Sequence, residues 1–333
     1  MDSVDTQVLR AVLDWAAHGR RFALVTIART WGSAPRPPGA WLAISEDGYV
    51  QGSVSGGCVE DDLIRRVRAH AFAATPICVV RYGGATGDAQ RYGLPCGGTL
   101  ELVVESAPDI ALLAELARRV ADGQLAQRHI DTTSGSVHLT AGCAGAALQW
   151  DGARLMTQLG PAWRLLIVGA GQISRYLAPM AQALGYRVLV CDPRTEYAAE
   201  WDVADTVFLP GMPDDAVTAQ ALDPHSAVVA LTHDPRLEDM ALIEALKSPA
   251  FYVGALGSQA NHERRRQRLL QYCDLSAAEV ARLHGPVGLL IGSRTPPEIA
   301  LSILAEMTAV KNAVHPRTAG MAIESDAYAC RVV

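Results

Sequence analysis

The 333 residues are half apolar and 19% charged, with 29 basic against 35 acidic side chains and a net charge of −6. That length and apolar share suit two domains with substantial cores and exclude a disordered chain. A charged fraction below the roughly 25% usual for soluble domains suggests apolar surface covered by a partner, most simply a second copy in a homodimer.

Without a basic run the chain has little means of neutralising phosphates, so nucleic acid is not an expected partner. Met1-Asp2-Ser3-Val4-Asp5 opens no signal-type apolar core, and no stretch nears the roughly 18 apolar residues of a membrane span. Seven scattered cysteines, an odd count, fit a reduced cytoplasmic protein rather than a disulfide framework.

In chain order, a helix is expected over Thr6–His18 and a strand over Phe22–Arg29. The segment Trp31–Gly39 is too rich in Pro and Gly for regular structure. Strands over Ala40–Ser45 and Tyr49–Val54 flank Glu46-Asp47-Gly48, a hairpin signal. A helix follows from Val59 to about Phe72, with Val59, Leu63, Ile64 and Val67 as its apolar stripe. Strands Ile77–Tyr82 and Thr99–Glu105, a helix over Ile110–Val120 and short β pieces between 124 and 158 complete a first α/β domain, 1–160.

At Trp163 the pattern changes. Arg164–Val168 is a continuous apolar run, the mark of a strand buried on both faces. Helical and strand segments then alternate through Ser174–Leu184, Arg187–Cys191, Val203–Phe208, Ala227–Leu231, Leu237–Leu246 and Phe251–Val253. The alternation predicts a Rossmann-like doubly wound parallel sheet over 161–312, followed by a tail, 313–333. Asn261–Gln271 reads as an arginine-rich exposed helix, Ser276–Glu279 as a capping box, and Pro296–Pro297 as the start of a helix reaching Val310.

Two glycine–cysteine loops carry the most specific chemistry of the first domain. Gly52-Ser53-Val54-Ser55-Gly56-Gly57-Cys58-Val59-Glu60 joins a strand to a helix, where successive N–H groups can converge on an anion. Ser53 and Ser55 add hydroxyl donors. Cys58, in the helix's first turn, is placed to have a lowered thiol pKa. Glu60, in the same turn, would compete with an incoming anion. Cys96-Gly97-Gly98 precedes the Thr99 strand, so Cys58 and Cys96 offer two soft sulfurs for a metal or for sulfur transfer. Two sulfurs without a Cys-x-x-Cys do not make a structural zinc site. Small cysteines filling space beside glycines would account for the same residues. Arg36, among prolines and near Ser33, can clamp a phosphate or simply pack its loop on the body. Cys78, Cys143, Cys191, Cys273 and Cys330 read as structural.

Gly169-Ala170-Gly171-Gln172-Ile173-Ser174 follows the buried strand and opens a helix, the context of a dinucleotide fingerprint. Ser174 stands where Gly or Ala is usual. Asp192 would meet a ribose hydroxyl, and Arg194 would favour a phosphate. The turn is strong support for the fold and weak support for a bound nucleotide. His233-Asp234 after a strand is either an acid/base pair or a turn with a helix cap.

With these motifs the chain resembles the XdhC/CoxI family, maturation factors for molybdenum-cofactor hydroxylases. The resemblance rests on Thr30-Trp31-Gly32-Ser33-Ala34-Pro35-Arg36 with Pro38-Gly39, on both glycine–cysteine loops, and on Val168–Gly171 and Asp192-Pro193-Arg194. Val253-Gly254-Ala255-Leu256-Gly257-Ser258, His284–Gly288 with Ile291-Gly292, and Thr295–Ala300 complete it. It implies a cofactor-handling first domain and a Rossmann second domain, usually in a dimer. It also implies a non-enzymatic chaperone that binds the molybdenum cofactor, as molybdopterin or its cytosine dinucleotide form. Such a protein shields the cofactor, cooperates with a cysteine desulfurase in its sulfuration and inserts it into an apo-molybdoenzyme. Xanthine-dehydrogenase-type members commonly carry Gly-Thr-Ile-Gly-Gly-Gly in the first loop and Cys-Cys-Gly-Gly in the second. The present Cys58 and Pro95-Cys96 resemble the branch serving aldehyde or carbon monoxide dehydrogenases. The competing expectation is an NAD(P)-dependent oxidoreductase using Gly169, Gly171 and Asp192.

Overall fold

The first strand, β1 (Phe22–Trp31), is buried along its first seven residues because helices cover it on both sides. In a computed structural model, which describes residues 3–32, 36–83, 99–143, 148–160 and 163–314, the chain divides at Trp163 into two compact units. Val25 and Ile27 pack with Val59, Leu63 and Val67 of α2 (Cys58–Arg68). On the opposite face Phe22 and Leu24 meet Val8, Leu9 and Val12 of α1 (Ser3–Ala17) and Leu113 and Leu116 of α3 (Ile110–Ala121). The period-2 side-chain alternation of one strand thus feeds two cores. The helix ends at Arg68 rather than at Phe72, which lies in the following turn yet still enters the core.

The remaining strands of this sheet are β2 (Trp41–Ser45), β3 (Val50–Gly52), β4 (Ile77–Tyr82) and β5 (Thr99–Glu105). Their order is β3-β2-β1-β5-β4, and every pairing is antiparallel. Gly52 sits opposite Leu42, Trp31 opposite Thr99 and Tyr82 opposite Leu100. Antiparallel alternation therefore puts the C-terminal ends of β3, β1 and β4 and the N-terminal ends of β2 and β5 at one end of the sheet. Gly52, at φ +87°, is obligatory there, since a Cβ would collide with the Trp41 carbonyl and with Val8.

The β pieces expected between 124 and 158 form a second antiparallel sheet. Its strands are β6 (Ala126–Asp131), β7 (Ser136–Ala141), β8 (Gln149–Trp150) and β9 (Arg154–Leu159), in the order β7-β6-β9-β8. Ile130 and Leu155 pack against Ala28, Ile77 and Val103 of the first sheet. Between the sheets Arg128 and Glu105, each 1% exposed, form a bidentate ion pair with N–O distances of 2.8 and 2.6 Å.

The second unit is Rossmann-like. Six parallel strands, β10 (Trp163–Val168), β11 (Tyr186–Cys191), β12 (Val207–Leu209), β13 (Ser226–Ala230), β14 (Tyr252–Ala255) and β15 (Leu283–His284), run in the order β12-β11-β10-β13-β14-β15. This is the doubly wound order with its reversal between β10 and β13. The helices are α4 (Gln172–Ala183), α5 (Thr195–Ala199), α6 (Pro213–Ala219), α7 (Pro235–Lys247), α8 (Gln259–Tyr272), α9 (Ala277–Val280) and α10 (Pro296–Lys311).

Three expectations need correction. The strand expected over 203–208 is only Val207–Leu209, because Thr206 uses its hydroxyl in a turn with Val203 and Trp201. The short helices α5 and α6 were not foreseen. The arginine-rich helix is not wholly exposed: His262, Arg265 and Leu269 are buried, and Arg265 pairs with buried Glu238. The capping box at Ser276 and Glu279 is present. Residues 315–333, which hold most of the expected tail and Cys330, lie outside the described residues. Among those described, no helix is long and apolar enough to cross a membrane.

Candidate cofactor-handling site

The turn after β3 leads directly into α2, and Cys58 is the first helical residue. Its expected anion nest exists but is filled from within. Glu60 Oε1 accepts from Ser53 Oγ at 2.8 Å and from the N–H groups of Val54, Ser55 and Gly56 at 2.9, 2.7 and 2.8 Å. Glu60 Oε2 accepts from Gly57 N–H at 2.9 Å and from the Ser55 hydroxyl. Burial alone would raise the Glu60 pKa. The Ser55 hydroxyl and the N–H groups of Ser55, Gly56 and Gly57 outweigh it and hold the carboxyl at about 2. The reading of Ser53–Gly57 as a nest open to an external anion is thereby corrected, because its donors converge on a carboxylate of the same chain. Glu at the third helical position after the N-cap was the available signal, since such a residue reaches back to the N-cap N–H.

Arg36 is likewise engaged. One Nη lies 3.5 Å from Oδ1 of Asp5, which is 6% exposed and also accepts from Trp41 N–H at 2.9 Å. This contact ties the Arg36 segment to α1 and β2. Ser33, in 33–35, and Cys96, Gly97 and Gly98, in 84–98, lie outside the described residues, as does the sulfur of Cys58. Among the described residues no group of three or more His, Cys, Asp and Glu is arranged to hold a metal.

Two residues that sequence reasoning passed over link α2 to the end of β4. Asp62, one helical turn beyond Cys58 and 5% exposed, accepts from Tyr82 Oη at 2.7 Å. Tyr82 is the last residue of β4. Burial, reinforced by the Asp62 bond, pushes the Tyr82 phenol up, so it remains a neutral donor. One turn of helix rises about 5.4 Å, so this bond holds the end of β4 about one turn from the start of α2. The loop of Ser33 and Arg36, the turn before Cys58 and the loop before Thr99 all depart from the same end of the five-stranded sheet.

In the second unit Gly169, at φ +109°, leaves room for Thr232 beside the tight turn, and Gly171 is the N-cap of α4. Ser174 is fully buried and donates to the Gly169 carbonyl at 2.5 Å, so a hydroxyl is accommodated where a smaller residue is usual. Asp192 and Arg194 face each other rather than open space. Asp192 Oδ2 accepts from Ala170 N–H at 2.8 Å and Arg194 Nη2 at 2.7 Å, while Oδ1 accepts from Arg194 N–H and Nε. Burial opposes ionisation of Asp192, but the Arg194 and Ala170 hydrogen bonds lower its pKa. The expected ribose and phosphate contacts thus compete with an internal pair. Asp234 caps α7 through Arg236 N–H at 2.9 Å, the role of a helix cap. Cys191 is buried, and burial pushes its thiol up to about 11, the behaviour of a structural cysteine.

Residues 15–83 match the family profile described as the XdhC and CoxI family, and residues 165–307 match the XdhC Rossmann domain. The chain belongs to the XdhC and CoxI family. It is 30% identical over 317 residues to the molybdenum cofactor insertion chaperone PaoD of Escherichia coli strain K12, covering 91% of this chain and 88% of that one. It is 28% identical over 319 residues to a probable xanthine dehydrogenase subunit from Bacillus subtilis strain 168, covering 87% and 93%. A crystal structure described as a xanthine dehydrogenase from Bacillus halodurans shares the fold, with a TM-score of 0.73 at 24% identity over 96% of this chain and 98% of that one.

Proposed function

We propose that the chain is a carrier without turnover of its own. It takes up the molybdenum cofactor in its first unit and inserts it into a molybdenum hydroxylase of the aldehyde, xanthine or carbon monoxide dehydrogenase type. The observation that carries this reading is the departure of three motif loops from one end of the five-stranded sheet, with Tyr82 bonded to Asp62 a turn from Cys58. The relationship to the PaoD chaperone supports it.

The cofactor is cargo, and its dithiolene-bound metal is soft enough for thiolates. Cys58 heads a helix, where a thiolate is favoured, and Cys96 stands three residues before Thr99 in the sequence. These two thiols are the proposed contacts to the metal or to the transferred sulfur, and Ser33, Gly97 and Gly98 are proposed to join them in holding the cargo. Because Glu60 holds the donors of Ser53–Gly57, the role assigned to those residues is to fix the turn that presents Cys58. Shielding of the cargo, cooperation with a cysteine desulfurase and a homodimeric state complete the proposal. A nucleotide at the Gly169–Gly171 turn of the second unit is a separate part of the proposal.

The test is a Cys58→Ser, Cys96→Ser double variant. Pterin fluorescence retained after loading and the activity of a matured client are each expected to fall at least about tenfold, a loss of roughly 1.4 kcal/mol in binding. Client maturation at the wild-type level would refute the assignment. Titration with NADH runs alongside: tight binding with turnover and no retained pterin would transfer the function to the Rossmann unit as an oxidoreductase.

A further inference from the structure

The second unit holds a cavity of about 230 Å³ at the carboxyl ends of β13 and β14, lined by His233, Glu238, Gly257, Asn261, Arg264 and Arg265 among others. Open α/β sheets collect ligands at such strand ends, and these residues are not those of the Gly169 turn. Drug-sized ligands occupy roughly 300–1,000 Å³, so this space suits one small anionic group with a modest substituent rather than a dinucleotide.

Arg265 gives the cavity its chemistry. It is 5% exposed, and its Nη2 donates to Glu238 and, at 3.0 Å, to the Leu256 carbonyl. Its Nε and Nη1 have no hydrogen-bond partner among the described residues. Leaving guanidinium donors unsatisfied in a buried setting is costly, which marks a place for an acceptor. Gly257, at φ +149°, keeps that place open: a Cβ there would stand 3.4 Å from Asn261 Cβ and 3.9 Å from Arg265 Nη1.

The surrounding charge favours an anion. Arg268 is neutralised by Asp239 through two bonds of 2.5 and 2.9 Å. Arg264 bonds neutral acceptors, the Ala260 carbonyl at 3.2 Å and Asn261 Oδ1 at 3.0 Å. Glu238 offsets part of the Arg265 charge, while burial pushes its carboxyl pKa up against the pull of Arg265.

We infer that this cavity binds a phosphate group, either inorganic phosphate or a small phosphate monoester, with Arg265 Nη1 as its buried donor and Arg264 and Asn261 completing the grip. Arginine suits such an oxyanion because its planar donors match the oxygens.

The experiment titrates the full-length chain with inorganic phosphate, and separately with adenosine and cytidine 5′-monophosphates, by calorimetry in chloride-matched buffer. Saturable one-site binding is expected. It should weaken about tenfold in Arg264→Ala and disappear in Arg265→Gln combined with Glu238→Gln, which keeps a neutral hydrogen-bonding pair in the interior. Tighter binding of a nucleotide than of phosphate would assign the group to a nucleotide, and equal affinity to free phosphate or a small ester. Absence of saturable binding up to about 10 mM, or an affinity unchanged by the variants, would overturn the inference. If the double variant does not fold, Arg264→Ala decides alone. None of these readouts involves the pterin, so the carrier function stands or falls separately.

Discussion

Arg128→Ala is expected to destabilise the first unit by about 3–5 kcal/mol. Arg128 and Glu105 are each 1% exposed and exchange two hydrogen bonds of 2.8 and 2.6 Å between the two antiparallel sheets. Removing the guanidinium strands a carboxylate in a dry interior, which is costlier than losing an exposed pair. It also opens a void beside Trp41, whose ring centre lies 5.9 Å from the Arg128 guanidinium carbon. Replacing both partners by apolar residues, Arg128→Met with Glu105→Leu, should recover most of the loss, because no buried charge remains. Hydrogen exchange of the β5 and β6 amides is the suitable measurement, since it reports this unit separately from the Rossmann unit. An Arg128→Ala variant as stable as the wild type would show that the pair contributes nothing.

Glu60→Gln should cost about 2–3 kcal/mol at pH 7, a figure reduced to allow for partial exposure. The amide has one acceptor oxygen where the carboxylate has two, so part of a six-donor set must face an N–H₂ group. Because folding depresses this pKa from 4.5 to about 2, the wild-type chain has the full benefit above about 4.5. The advantage is lost as pH falls from about 4.5 through about 2, below which the carboxyl is protonated in both states. The stability difference between wild type and variant, measured by denaturant titration at several pH values, should therefore narrow across that acid window. A difference that stays constant down to pH values near 2 would mean that the carboxylate's charge is not what orders the turn.

How much of this was legible in the sequence depends on the kind of signal. Apolar periodicity located β4, β5 and α3 almost to the residue, and the alternation after Trp163 implied the parallel sheet seen in the second unit. Periodicity failed on α8, whose inward stripe is His262, Arg265 and Leu269. Two of those three residues are polar, so the stripe resembled an exposed face until Glu238 was seen opposite. The two glycine–cysteine loops stood out by composition. Their surroundings did not, since the pairing of Tyr82 with Asp62 spans 20 residues and follows from strand order rather than local pattern. Glu60 was recognised as a competitor for an anion, but the sequence alone did not show that it takes six donors of the turn.

A turn that carries its own counter-ion is already folded before anything reaches it. The ordering entropy of Ser53–Gly57 is met by the covalently attached Glu60 carboxylate, so arrival and departure of a guest at the neighbouring residue need not freeze or melt this segment. Under the proposed carrier role, such preorganisation keeps the empty and laden shapes of the segment alike and leaves the strength of the hold to be set by the few atoms that touch the guest.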